Sequence, residues 1–277
     1  MMTKRFEGRI VWITGASSGI GEALAKAYAA EGAHIILSGR RTDALEQVAA
    51  GIDCDSLILP FETTDYDALP SRVDEACNWK GKVDILVNNA GISQRSLALE
   101  THPDVHHRII NVDLLAPIWL TQLLLPHMIA AGGGHIVGIS SVAGRVGVPL
   151  RTAYCAAKHG LIGYMDALRT ETEKLHNVHV TNILPGSIRT NVSRNALTKD
   201  GDSRGKSDAV IENGMEPAEC ARQILEAVAN NVPELIIAEG PEMMIAKLRQ
   251  SDPEQCFAMT SAMGAQIAEK YEAGDDD

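Results

Sequence analysis

Arg9 to Thr14, a β-branched and apolar run, passes directly into Gly15-Ala16-Ser17-Ser18-Gly19-Ile20-Gly21. An amphipathic stretch follows, with Leu24, Ala25 and Tyr28 on one face, and Gly32 stops it. A strand, a glycine-rich turn and a helix start in this order restrict the fold more than any other stretch. Free backbone N–H groups and the positive end of the helix dipole meet at the turn, so it is a site for an anion, with pyrophosphate the expected guest. The alternative is a turn that only connects. The rest of the chain repeats the theme, short β-branched runs alternating with longer Ala- and Leu-rich segments, which is the pattern of successive βαβ units. Strands are expected at Arg9–Thr14, His34–Ser38, Ser56–Pro60, Val83–Val87, Gly134–Ser140, Val178–Leu184 and Pro233–Ala238. The expected fold class is α/β, one domain with a doubly wound, seven-stranded parallel sheet flanked by helices.

At 277 residues and 45% hydrophobic content, the chain can bury one large core. A net charge of −11 and a pI near 5.3 argue against a nucleic-acid surface and against adsorption on anionic lipid, leaving small molecules or further copies of the chain as partners. Five cysteines without CxxC spacing suit a reducing compartment and no structural zinc. Met1–Gly8 lacks a signal core, and no run approaches the ~18 apolar residues of a membrane span, so a cytoplasmic protein is expected. Residues 1–240 form the expected catalytic domain. Residues 241–277 form a helical extension in which Met243, Met244, Met259 and Met263 are read as core filler, ending in an acidic, frayed Glu272–Asp277.

Tyr154 and Lys158 stand four apart in an alanine-rich helical run, so phenol and ammonium share one helix face. A tyrosine loses its proton near pH ~10 and a neighbouring cation favours the phenolate, which makes the pair a candidate acid or base nearer neutrality. The alternative is a packed tyrosine beside a solvated lysine. Ser140 and Ser141 end the fifth expected strand, where open α/β sheets bind ligands; their S-S-V-A-G setting is not the G-x-S-x-G elbow of a serine hydrolase. The second strand ends in Gly39-Arg40-Arg41, where an acid would usually hold a ribose 2′-hydroxyl. A guanidinium there can hold a 2′-phosphate instead, favouring NADP over NAD, unless both arginines are merely solvated.

Asn88-Asn89-Ala90-Gly91 closes the fourth strand with amides that can tie loops together and small residues that admit a flat ring. Asn111 lies in an apolar helical run and needs either a bond or a role. Thr101 reads as the N-cap of that run, with Pro103 in the first turn and Asp104 at N3. His102 and His106 are four apart but have no third ligand at metal spacing, so no metal is expected.

Thr14-Gly15-x-x-x-Gly19-Ile20-Gly21, Asn88-Asn89-Ala90-Gly91, Asn111, Ser141 thirteen residues before Tyr154, Tyr154-x-x-x-Lys158 and Pro185-Gly186 together resemble the short-chain dehydrogenase/reductase family, over roughly residues 8–238. The resemblance implies a Rossmann fold and reversible hydride transfer between a nicotinamide and a carbonyl or secondary alcohol. It implies catalytic roles for Ser141 and Tyr154 on the substrate oxygen, for Lys158 on the tyrosine and the nicotinamide ribose, and for Asn111 beside a relaying water. It selects Ser141 over Ser140, which is expected to face a neighbouring strand. It implies cofactor contacts from Gly15, Ser17, Ser18, Gly19, Ile20, Gly21, Arg40, Arg41, Asn89, Ala90, Gly91, Tyr154, Lys158, Pro185, Gly186, Ile188 and Thr190. Glu62 stands near the position at which relatives carry an aspartate against the adenine amino group.

The polar loop Asn191–Gly214 is expected to be mobile and to close over substrate. It resembles the loop of a subgroup with membrane-associated animal members, without their hydrophobic anchor. The resemblance also implies a homodimer or homotetramer through the helices bearing Asn111 and Tyr154. Val146, Val148, Leu150 and Leu197 hint at an apolar substrate. Three readings compete with an NADP-dependent reductase: a non-catalytic nucleotide sensor, an NAD-preferring alcohol dehydrogenase of the same family, and an epimerase or dehydratase on an extended relative of the fold.

Overall fold

The computed structural model describes residues 4–274, so the acidic end at 275–277 lies outside the described residues. Seven parallel strands, β1 (Ile10–Thr14), β2 (His34–Ser38), β3 (Ser56–Ile58), β4 (Ile85–Asn88), β5 (Gly134–Ile139), β6 (Val178–Pro185) and β7 (Glu234–Ile237), form one sheet in the order β3-β2-β1-β4-β5-β6-β7. Val11 pairs with Ile35 on one side and Ile85 on the other, so β1 is central and all five of its residues are buried. Successive side chains of a strand point to opposite faces. Val11 and Ile13 therefore enter one core with Leu24, Tyr28, Ile224 and Leu225, while Ile10 and Trp12 enter a second with Val73, Leu124 and Met165. Burying a side chain of this size contributes roughly 1.5–3 kcal/mol, and both faces contribute at once.

The helices are α1 (Gly19–Ala30), α2 (Thr42–Ala50), α3 (Leu69–Lys80), α4 (Pro103–Ile110), α5 (Ala116–Ala130), α6 (Thr152–His176), the short α7 (Ala209–Glu212), α8 (Pro217–Ala229), α9 (Gly240–Ser251) and α10 (Pro253–Glu272); α1, α2 and α8 cover the first face of the sheet and α3, α5 and α6 the second. Between α4 and α5 the backbone widens into a π turn, Asn111–Leu115. The combined Pro103–Ala130 helix has 28 residues and is long and apolar enough by composition to cross a bilayer, contrary to the expectation that no such run exists. Its apolar residues are spread around the axis: Leu120, Leu124 and Met128 are buried, while Leu115 and Trp119 are each 42% exposed.

Two local readings are corrected. Thr101 does not cap α4, because its hydroxyl donates to Leu97 O at 2.6 Å; His102 caps it, Nδ1 accepting from Asp104 N at 3.3 Å. The methionines are not core filler either. Met244 on α9 and Met259 and Met263 on α10 are exposed and Met243 is half-buried, because α9 buries only Ala246 and α10 only Cys256.

His135 on β5 is buried, with Nε2 2.8 Å from Thr181 Oγ1, and that hydroxyl donates its one proton to Val232 O at 2.7 Å. Thr181 must therefore accept, which places the imidazole proton on Nε2. Burial, with a smaller effect of His179, lowers the His135 pKa from 6.5 to about 3. Between those values the unfolded chain binds the extra proton, so this contribution to stability is full above pH 6.5 and is lost as pH falls toward 3. The expected loss is up to about 1.4 kcal/mol per pH unit. Urea midpoints measured from pH 7.5 to 4.5 should show this slope in the parent and a shallower one in His135→Gln.

Candidate active site

β1 and β4 are neighbours although five elements separate them in sequence, so the order in which strands are added reverses at this point of the sheet and a crevice opens at the strands' carboxyl ends. Thr14 ties the crevice's floor. Its hydroxyl accepts from Asn89 N and Ala90 N, both at 3.0 Å, and donates to Val87 O, while Asn89 Nδ2 donates to Thr14 O at 2.8 Å and Gly15 O at 3.2 Å. Gly15 has φ +66°, and a Cβ there would stand 2.9 Å from Ala90 Cα, so the two loops close on each other without a side chain between them. Gly21 does not line the crevice as expected; it packs behind it against Gly15 O and Asn89.

Ser18 is the N-cap of α1 but makes no side-chain cap bond, which leaves first-turn N–H groups available to an anion. The crevice has a volume of about 1120 Å³ and runs from this turn to Tyr154. These features fit a dinucleotide. Arg40 and Arg41 flank its far end: Arg40 Nη1 lies 3.6 Å from Glu62 Oε2, and Arg41 Nη2 donates to Ser17 Oγ at 3.3 Å. Glu62 is thus an ion-pair partner of Arg40, a role its sequence position did not announce. Thr190 closes over the phosphate turn, its Cγ2 3.0 Å from where a Cβ on Gly19 would stand.

Across the crevice, Tyr154 and Lys158 project from α6 as their spacing predicts, with Lys158 Nζ 5.5 Å from the Tyr154 ring centre. Lys158 is tied at both ends. Its Nζ donates to Ile139 O at 3.1 Å, and its backbone carbonyl accepts from Ser140 Oγ at 3.0 Å. Ser140 therefore faces α6 and not a neighbouring strand, which corrects the expectation while leaving Ser141 on the crevice. Ser141 Oγ accepts from Ala143 N at 3.1 Å and donates to Pro185 O at 3.3 Å. Asn111, Pro185, Gly186 and Ile188 also line the crevice. Asn111 opens the π turn, where its carbonyl accepts from Ala116 N, and it is only partly buried. It is thus not the bonded core asparagine that the apolar run allowed.

Two residues at the centre of this arrangement were not singled out from sequence. Asp113, fully buried on the π turn, places Oδ2 3.1 Å from Lys158 Nζ and accepts from Ile92 N on Oδ1 at 2.9 Å. Burial alone would lower the Lys158 pKa, yet the Asp113 carboxylate outweighs it and holds the ammonium above the ordinary lysine value. Burial in turn raises the Asp113 carboxyl against the pull of Lys158. The available signal was an acid within an apolar helical run, which demands a buried partner. The other residue is Gln94, fully buried, whose Oε1 accepts from Ala153 N at 2.9 Å and so caps α6 one residue before Tyr154.

The loop after β6 is held down more firmly than its composition suggests. Leu197 N donates to Ser93 O and Arg95 N to Leu197 O, each at 2.8 Å, and Asp208 carries ion pairs to Arg95, Arg151 and Arg204. Leu197 lines the crevice, but Val146 and Leu150 are buried away from it.

A doubly wound sheet with a phosphate turn at the reversal point and a Tyr-Lys helix opposite defines a nicotinamide-dinucleotide oxidoreductase. The chain belongs to the short chain dehydrogenase family, whose model matches residues 9–201. It is 36% identical over 274 residues to human "Dehydrogenase/reductase SDR family member 7", covering 96% of this chain and 81% of the relative. It is 41% identical over 262 residues to "Dehydrogenase/reductase SDR family protein 7-like" of Anopheles gambiae, covering 92% and 82%. Among solved structures, a short chain dehydrogenase/reductase from Burkholderia phymatum in complex with NAD superposes with a TM-score of 0.78 at 22% identity, covering 91% of this chain and 96% of the other. Levodione reductase superposes with a TM-score of 0.74 at 24% identity, covering 84% and 96%. At such identities these structures speak for the fold.

Proposed function

We propose that the protein is an NADP-dependent reductase or dehydrogenase that moves a hydride between the nicotinamide and a carbonyl or secondary alcohol carbon. The observation that carries this reading is the convergence of Ser141, Tyr154, Lys158 and Asn111 on one crevice with an uncapped helix N-terminus at its other end. The bound cofactor would supply the hydride chemistry. Ser141 Oγ and Tyr154 Oη hydrogen-bond the substrate oxygen, and Tyr154 gives its proton during reduction and takes one during oxidation. Lys158, kept charged by Asp113, favours the phenolate electrostatically and presents N–H donors toward the ribose; Asn111 holds the water that passes the proton outward.

Val192, Leu197 and Ile211 on the crevice wall support an apolar body for the substrate, in place of Val146 and Leu150. The partly exposed Leu115 and Trp119 support self-association through the helix that follows Asn111. A nucleotide sensor would have no use for four convergent proton-handling groups, and an epimerase would give no net turnover of free cofactor.

Arg40 and Arg41 carry the preference for NADP. The variant Arg40→Asp/Arg41→Ala should lose about 10–100-fold in NADPH affinity, as charge-assisted bonds to a phosphate are removed, and bind NADH no worse than the parent. Fluorescence titration with both cofactors checks this. Equal affinity of the parent for NADH and NADPH refutes the preference, and absence of NADPH consumption across a panel of apolar ketones refutes the reductase.

A further inference from the structure

We propose that Glu242, in the first turn of α9, is a positioning residue for the nicotinamide half of the cofactor, acting through Ser187; this rests on the cofactor reading above. Glu242 Oε2 accepts from Ser187 N at 2.7 Å, and Oε1 accepts from Ser187 Oγ at 2.8 Å. The third polar group of the same residue, Ser187 O, accepts from Met215 N at 2.9 Å. Every hydrogen-bonding group of Ser187 is therefore committed, two of them to one carboxylate.

The neighbours of Ser187 face the other way. Pro185, Gly186 and Ile188 line the crevice, while Ser187 is turned toward α9. Gly186 gives the carboxylate its room, since a Cβ there would collide with Glu242 Oε2. The opposite flank of the turn is held by Ser141, whose Oγ donates to Pro185 O at 3.3 Å, and by Gly186 N donating to Ile237 O at 2.8 Å. The helix behind Glu242 is itself seated: Ala246, Ile245 and Leu248 pack with Val142 and Val146, which follow Ser141 in the chain. Helix α9 thus sets both Ser141 and the Pro185–Ile188 turn from behind. A charge-assisted pair of bonds is strong enough to fix a backbone segment that solvent would otherwise loosen.

The test uses the 277-residue chain and two probes, NADPH and 2′-phospho-ADP-ribose, which keeps the adenosine 2′-phosphate, the pyrophosphate and the second ribose and lacks only the nicotinamide. Glu242→Ala and Ser187→Ala should each weaken NADPH by about tenfold and leave 2′-phospho-ADP-ribose unchanged, with the double variant little worse than either single one. Glu242→Gln, which keeps an acceptor for Ser187 N–H, should recover most of the NADPH affinity. NADH and ADP-ribose form the same comparison if the protein takes the non-phosphorylated cofactor. Equal loss of both probes, or no loss of either in a variant with parental melting temperature, overturns the role of Glu242. If Glu242→Ala does not fold, Ser187→Ala decides alone, because it removes a single oxygen. A parent that binds neither nicotinamide cofactor overturns the cofactor reading and this inference with it, whereas a parent that binds one and variants that bind it equally overturn Glu242 only.

Discussion

Tyr154→Phe should lower NADPH-dependent carbonyl turnover by about 10²–10⁴-fold or more, with NADPH affinity nearly unchanged. The substitution removes one oxygen. The ring remains packed on the cluster of Val105, Ile109, Ala153, Ala157 and Leu197, and the ammonium of Lys158 remains bonded to Ile139 O and paired with Asp113. What is lost is the hydroxyl proposed to exchange a proton with the substrate oxygen, so the effect falls on the chemical step and not on binding. Single-turnover measurements with saturating NADPH separate the two. Turnover that survives the substitution would sink the assignment of Tyr154.

The second large effect is on stability. Asp113→Asn should cost about 3–5 kcal/mol, because it leaves a buried ammonium facing an uncharged amide. Lys158 and Asp113 are both almost wholly buried, at 4% and 0% exposure, so solvent cannot take over the role of the missing charge. Lys158→Met should cost less, since burial already raises the Asp113 carboxyl and a neutral acid can keep its bond from Ile92 N. The double variant Asp113→Asn/Lys158→Met should then be more stable than Asp113→Asn alone, a non-additivity that denaturant unfolding of the three variants reads directly. Additive losses would mean that the pair is not coupled in the way its 3.1 Å contact implies.

These two results would bear on different parts of one helix face, and they were unequally visible beforehand. Tyr154 and Lys158 were legible because i,i+4 spacing is a local property of a helix, and the turn at Gly15–Gly21 because its order of strand, glycines and helix is local too. Strand centres were legible for the same reason. Their ends were not: β3 stops at Ile58 because it pairs only with Ile35, Ile36 and Leu37, and pairing partners are not written into a strand's own sequence. Thr101 looked like a cap by residue type, yet its hydroxyl found Leu97 O and buried neighbours Ser96 and Gln94 before it could reach the helix. The loop after β6 looked mobile by composition. Its polar residues include Asp208 and Arg204, which meet Arg95 and Arg151 from distant parts of the chain and hold the loop down.

The sequence by itself determined the parallel sheet, the phosphate turn, the Tyr-Lys face and the family, because each is encoded in periodicity or in short spacings. Only the tertiary structure decided that Asp113 sustains the charge of Lys158, that Gln94 caps the helix bearing Tyr154 and Lys158, and that Glu242 reaches back to Ser187 across 55 residues. These are single contacts between segments far apart in the chain, and burial is what gives them their weight. A carboxylate in water is unremarked, whereas one closed away from water must find its partner, and that partner is chosen by the fold.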